Sequence, residues 1–386
     1  MLSQSQEELR LTLNAYQTSA NETNVISEKP VILLLLGLFG EIGSLVSELK
    51  KKQRDEDAYI GFEASVIEEL GDALWYFACF STHVNLSLEA LAHIAFRDQI
   101  STAINDLTFA SIQKIAGRSI PTTSRLQVTL KLSSEVGILM AQFSHSATLD
   151  QEKVTFHLAQ VFRALVEAAN RAQVSLADAA IRNLIKVFDR WPRNKEYPSH
   201  FDDGHESEEQ LPRRIEISVV ERTVGGRTYV YQKCNGLNIG DRISDNKLEE
   251  DDYRFHDVFH LGYVALLGWS PVTRALFKVK RKSIPKIDEN EDGARAIITE
   301  EAISAWIFNH AAPLKYFENL KRLDYGLLKA VRKLSEGYEV HKCPLWLWEE
   351  AILQGYVVFR QLRSHRRGLI IADMHNRTLQ FQEILK

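Results

Sequence analysis

Residues 37–51 read GLFGEIGSLVSELKK, and residues 68–78 read EELGDALWYFA. In both stretches apolar residues recur at three- and four-residue spacings, the period of an amphipathic helix. Glu69 and Asp72 are three apart and Glu68 and Asp72 four apart, spacings that bring helical side chains to one face. The residues that follow, Ala73 to Ala78, are apolar, so these acids lie at the edge of a hydrophobic bundle. Glu41 sits on the preceding helix, and Glu48, seven residues on, returns to roughly the same face. Carboxylates turned toward an apolar core are costly to ionise. A divalent cation held among Glu41, Glu48, Glu68, Glu69 and Asp72 would neutralise them, and facing helices of a bundle can build such a site. The competing reading is surface ion pairing, the commonest fate of helical acids.

Working outward, helical texture runs from Glu7 to about Pro192, with Pro30 at a helix start and Pro121 in a short polar linker, RSIPTTS. Within it lies a weak duplication. Residues 130–143, LKLSSEVGILMAQF, echo residues 37–51, with Glu135-Val136-Gly137 against Glu41-Ile42-Gly43. Ala172-Gln173-Val174-Ser175-Leu176 likewise echoes Val84-Asn85-Leu86-Ser87-Leu88. Each copy has an apolar face too large to leave wet, and two copies side by side would bury both. The second copy keeps Glu135 but has Ile138, His157 and Gln160 where the first has Ser44, Glu69 and Asp72.

The first copy, over roughly residues 10–110, resembles the MazG nucleotide pyrophosphohydrolase family. The resemblance implies an all-α fold, Mg²⁺ dependence and an ExxE plus ExxD ligand set. Glu69-Leu70-Gly71-Asp72 matches the second half, and Glu41 the first Glu of the other. Its second Glu is Ser44 here, with Glu48 the candidate substitute, so weak activity or a different metal count is an alternative. Residues 179–192, AAIRNLIKVFDRWP, look like the family's C-terminal segment, which implies nucleotide contacts for Asn183 and Lys186, with Arg190 nearby. Together these suggest a fused pseudo-dimer in which copy one supplies metal ligands and copy two supplies phosphate or sugar contacts. The plain alternative makes copy two a packing partner. Trp75 and Tyr76 are candidates to stack on a base, though core packing is the commoner role. Lys50 to Lys52 either attract phosphate or meet the helix dipole.

From Pro192 to Pro212 prolines, a glycine and acids cluster, which reads as a linker, set at residues 196–214. Residues 214–233 alternate β-branched and polar residues around Gly225-Gly226, a hairpin signal. Helical texture returns near Asp251 and runs with breaks to the end. His256 and His260 are four apart, a spacing that lets two imidazoles share a metal. With Asp257, Arg281, Asp288, Asp292, Arg295 and Glu300 they make a candidate second site, against the blander reading of hydrogen-bonded core histidines. The stretch resembles a C-terminal domain appended to some MazG-like proteins, a resemblance that carries no mechanism. The basic run Arg360 to Arg367 reads as a solvated helix face.

The bulk composition is that of a folded chain: 386 residues, 45% hydrophobic, 25% charged, formal net charge -4. No basic surplus argues for nucleic acid as a partner. Cys79, Cys234 and Cys343 are odd in number and widely spaced, which fits a reducing cytoplasm. The apolar run at Val31 to Leu36 falls short of the roughly 20 residues that span a bilayer, and the polar N-terminus lacks a signal-like core.

The expected architecture is therefore mainly α. A catalytic repeat (1–115), a degenerate repeat (116–195) and a linker (196–214) precede a mostly helical α+β C-terminal domain with a short hairpin (215–386). The expected activity is Mg²⁺-dependent (alternatively Mn²⁺-dependent) cleavage of a nucleoside or deoxynucleoside triphosphate to the monophosphate and pyrophosphate. The rivals are a nucleotide sensor with weak catalysis whose C-terminal domain is the effector, and a His/Asp metal phosphohydrolase in that domain. No membrane partner is expected, and a homo-oligomer is left open.

Overall fold

Helical periodicity becomes helices in the described residues of the first of two units, Met1–Arg193. The structure is a computed structural model that describes residues 10–100, 106–117, 124–145 and 150–384. In this unit α1 (Leu13–Glu22), α2 (Ile32–Asp55), α3 (Phe62–His83) and α4 (Leu88–Ala95) are followed by α5 (Phe109–Gly117), α6 (Arg125–His145), α7 (Gln151–Ala172) and α8 (Leu176–Arg190). Residues 118–123 of the RSIPTTS linker around Pro121 lie outside the described residues.

The duplication is written into the corners. Asn85 and Gln173, which follow α3 and α7, are both left-handed, at φ 60° and 61°. Just after them the Leu86 amide donates to Ser81 O (2.9 Å) and the Val174 amide to Ala169 O (3.1 Å). Ser87 and Ser175 then cap α4 and α8, accepting from the amides of Ala90 and Asp178. Gln17 of α1 brackets the first corner, donating to Leu86 O (2.9 Å) and accepting from Leu88 N (2.8 Å). Gln113 of α5 does the same at the second, with Val174 O (2.7 Å) and Leu176 N (2.9 Å). Among the described residues each repeat is thus four α-helices. The boundary expected at residue 115 cuts α5, the counterpart of α1; short helices without a duplicated motif hid that relation.

The last helix of each repeat packs on the third helix of the other: α8 on α3, α4 on α7. One hydrophobic core runs through both repeats, including Leu70, Leu74, Phe77, Phe162 and Leu165. Each such side chain fully removed from water contributes about 1.5–3 kcal/mol, so neither repeat can shed the other cheaply. The helix covering Ile32–Ala58 is long and apolar enough to cross a membrane by length and composition, which amends the sequence expectation. Here it is a bundle helix that buries Leu34, Leu35, Leu38, Ile42 and Leu45.

The second unit, Asn194–Lys386, joins helices to an antiparallel sheet. Its elements are β1 (Arg214–Val224), β2 (Arg227–Cys234), β3 (Leu237–Asn238), α9 (Asp257–Gly262), α10 (Pro271–Phe277), α11 (Pro285–Asn290), α12 (Ala294–Ala311), α13 (Tyr325–Leu334), α14 (Leu345–His365), β4 (Arg367–Asp373) and β5 (Thr378–Gln382). The strand order is β3-β2-β1-β4-β5. Gly225 and Gly226 turn the β1–β2 hairpin with φ of 60° and 77°, the conformation that such two-residue turns need. Ile215 and Ile217 face Ala372 and Ile370 across the β1–β4 ladder, and all four are buried.

Two expectations need correcting. The chain does not stay helical to its end, because β4 and β5 complete the sheet. The stretch expected to be a linker is folded into the unit: the Asp202 carboxylate is buried and accepts from Leu211 N (2.8 Å), Arg213 (2.7 Å) and Arg274 (2.6 Å).

Candidate metal centre

Glu41 on α2 and Glu69 and Asp72 on α3 converge, with one carboxylate oxygen from each inside a 4.8 Å circle of mutual separation. Two glycines let the helices come this close. A Cβ on Gly37 would sit 2.1 Å from the Tyr76 ring, so this ring lies flat against α2 one turn before Glu41. A Cβ on Gly71 would meet Ala179 O at 2.7 Å and the Asn183 Cβ at 3.0 Å. The Glu69-Leu70-Gly71-Asp72 turn therefore touches the backbone of α8, which delivers the second repeat's residues. Asn183 Nδ2 donates to Asp72 Oδ1 (2.9 Å), while Asn183 Oδ1 accepts from the Tyr16 hydroxyl (3.2 Å). Lys186 Nζ is paired with Asp72 Oδ2 and donates to Glu68 Oε1 at 3.2 Å.

Burial and mutual repulsion dominate the electrostatics. Burial pushes the Glu69 carboxyl up to about 7, helped by the neighbouring Glu41 and Asp72 charges. Burial, then the Asp72 charge, raises Glu41 as well. Asp72 is also raised by burial, although Lys186 and Asn183 pull the other way. The trio is therefore short of positive charge, with Lys186 reaching it from one side. Three hard oxygen donors fit Mg²⁺ or Mn²⁺.

The other residues singled out in the sequence fall around this trio or away from it. Glu68 borders it through Lys186. Glu48 is not part of it: it is buried, 2.5 Å from Lys51 Nζ and bonded by the Tyr59 hydroxyl, because seven residues carry it two turns down α2. Lys50 is exposed on the same helix. Trp75 is a core residue, only 7% exposed, with Nε1 donating to Thr23 Oγ1 at 2.8 Å, so its ring offers no open face to a base. The Arg190 guanidinium lies 4.7 Å from the Trp191 ring centre. Tyr16 was missed, since nothing in its local sequence marks the role; only the fold carries α1 to Asn183.

The second repeat carries a different pair at the matching positions. Glu135 and His157, the counterparts of Glu41 and Glu69, pair at 3.1 Å. An imidazole against a carboxylate replaces the repulsive acid pair. Where Asn183 stands in α8, Ala95 ends α4.

In the second unit the expected site separates into two. His256, which caps α9, and His260 on α9 converge with Glu301 on α12, and Asp257 Oδ1 lies 3.3 Å from His256 Nε2. Glu300, fully buried, is bonded to His260 Nδ1 at 2.8 Å. Glu301, the neighbour of the expected residue, was missed because helical phase alone does not say which of two adjacent acids faces a given partner. Arg281 and Asp292 belong elsewhere: both are buried in an ion network, 2.8 Å from each other, with Glu339 2.7 Å from Arg281. Arg295 is exposed, and Asp288 lies on α11 outside both groups. The basic run near the C-terminus is also committed to structure, since Arg363 and Arg366 both pair with Asp252.

No curated protein and no solved structure matches the chain. Residues 196–385, which coincide with the second unit, match the model of the MazG C-terminal domain family and so tie this half of the chain to MazG proteins.

Proposed function

We propose that the first unit is a Mg²⁺-dependent nucleoside triphosphate pyrophosphohydrolase that releases a nucleoside monophosphate and pyrophosphate. The observation that carries this reading is the convergence of Glu41, Glu69 and Asp72 from two helices to within 4.8 Å, half-buried and raised in pKa. Those three would hold the ion, which when bound supplies charge neutralisation at the phosphates and an acidified water. Asn183, itself fixed by Tyr16, keeps Asp72 in one orientation, as supporting residues do around metal ligands. Lys186 is paired with Glu68 and Asp72. With an ion held by the carboxylates, Lys186 would be held less tightly by Asp72, and its ammonium would be able to turn to a polyphosphate at the rim. The MazG association of the second unit points to the same nucleotide-handling class.

Pyrophosphate release, measured on the full chain with a panel of ribo- and deoxyribonucleoside triphosphates with and without Mg²⁺, tests the reading. Turnover is expected with Mg²⁺ alone, and Asp72→Asn should lower it by at least about 100-fold, the upper end of losses for residues that only support a ligand. Absence of pyrophosphate from every triphosphate overturns the reading. One observation favours a nucleotide sensor with weak catalysis instead. Ser44, one turn after Glu41, offers no carboxylate where the ligand set would place a fourth. Binding without turnover in the same panel is the signature of that second reading.

A further inference from the structure

The second unit holds a group of side chains that the first unit's chemistry does not use. We infer that His256, His260 and Glu301 form a binding site for a divalent transition-metal ion, with Asp257 in reach as a further ligand. The three are contributed by α9 and α12, and one donor atom from each lies within 4.8 Å of the others. The tautomers are set by the surroundings. His256 Nδ1 is 2.9 Å from the Tyr253 carbonyl, which only accepts, so Nδ1 carries the proton and Nε2 presents its lone pair. His260 Nδ1 donates to Glu300 Oε1 at 2.8 Å, which turns its Nε2 the same way. Glu300 is itself locked by Ser270 Oγ (2.7 Å) and Val272 N (2.9 Å). A carboxylate or carbonyl behind each imidazole is the support that metal-ligating histidines characteristically have.

The second observation is His260 Nε2. The side chain is 2% exposed, yet this nitrogen has no hydrogen-bond partner. Glu301 Oε1 stands 3.5 Å from it, and Glu301 Oε2 is 3.8 Å from His256 Nε2. Two donors bound to one tetrahedral Zn²⁺ at about 2.0–2.1 Å stand about 3.3 Å apart, so these separations need only a small adjustment. A buried imidazole nitrogen left unsatisfied is costly, and an ion between the three donors removes that cost. Two imidazoles and a carboxylate select Zn²⁺, Co²⁺, Ni²⁺ or Fe²⁺ over Mg²⁺. Glu301 keeps 42% of its side chain exposed, which gives the ion an entry path and leaves a coordination position open to water or a ligand.

Metal retention by the full chain tests this inference. Purified protein is loaded with Zn²⁺ or Co²⁺, dialysed and assayed by elemental analysis, with the Co²⁺ form also read by visible d–d absorption. The wild type should keep one such ion that excess Mg²⁺ does not displace. His256→Gln and Glu301→Gln should each weaken retention at least about 100-fold, whereas Asp72→Asn should keep it. Glu301→Gln changes a partly exposed side chain by one atom and so guards against misreading a folding defect, which circular dichroism monitors for both variants. Absence of a retained ion in the wild type, retention unchanged in both variants, or loss in Asp72→Asn alone overturns the site.

Discussion

Glu69, held near pH 7 by burial and by Glu41, couples metal binding to protons. Without a bound divalent ion the folded chain keeps a proton that an unfolded carboxyl, with its ordinary value of 4.5, has already released. Stability therefore falls as pH rises from about 4.5 through about 7, because in that window the native state binds more protons than the unfolded one. Mg²⁺ should reverse the trend, raising the melting temperature more at pH 8 than at pH 5, and calorimetry in two buffers should show proton release on binding near neutrality. A Mg²⁺ effect independent of pH would contradict this. Asn183→Ala should cost about 10–100-fold in kcat/KM through Asp72, as supporting residues do. Lys186→Ala should raise KM for the triphosphate; an unchanged KM would remove Lys186 from substrate binding. The convergence of Glu69 and Asp72 was legible because acids at helical spacing stand directly before an apolar run, and Glu41 was placed with them by its position on the preceding helix and by the family resemblance. Tyr16 was not legible, because periodicity gives a side chain's face and not its partner.

At the scale of elements, the contact between α3 and α8 turns on Gly71. Gly71→Ala would force a methyl to within 2.7 Å of Ala179 O, a backbone atom that cannot swing aside. It should destabilise the first unit by about 1–3 kcal/mol, as over-packing does. It should also reduce activity by lifting Asn183 and Lys186 off Asp72; thermal melts and turnover of the one variant check both. The helices of this unit were readable because their apolar period persists over many residues. The short strands β4 and β5 were not, since seven residues such as Arg367–Asp373 directly after a long helix carry little periodic signal. The expected linker failed for a related reason. Its composition is loop-like, but Asp202 finds the buried Arg274, far along the chain, with Arg213 beside it.

At the scale of the molecule, a unit with two similar repeats holds one acidic trio among its described residues. The repeats exchange their last helices, so the carboxylates of the first meet the Asn183 and Lys186 of the second. His157 and Glu135 close the mirrored position with a pair that needs no cation. Divalent-ion uptake by the first unit should accordingly disappear in Asp72→Asn, with no remainder from the second repeat; equilibrium dialysis against Mn²⁺ in the Glu301→Gln background measures this directly. The most direct measurement of all is anomalous diffraction from crystals of the full chain soaked in Mn²⁺. A manganese peak ligated jointly by Glu41, Glu69 and Asp72, with Lys186 displaced from Asp72, is the predicted result. Density without a peak among those carboxylates, with Lys186 still seated on Asp72 at saturating Mn²⁺, would contradict the account.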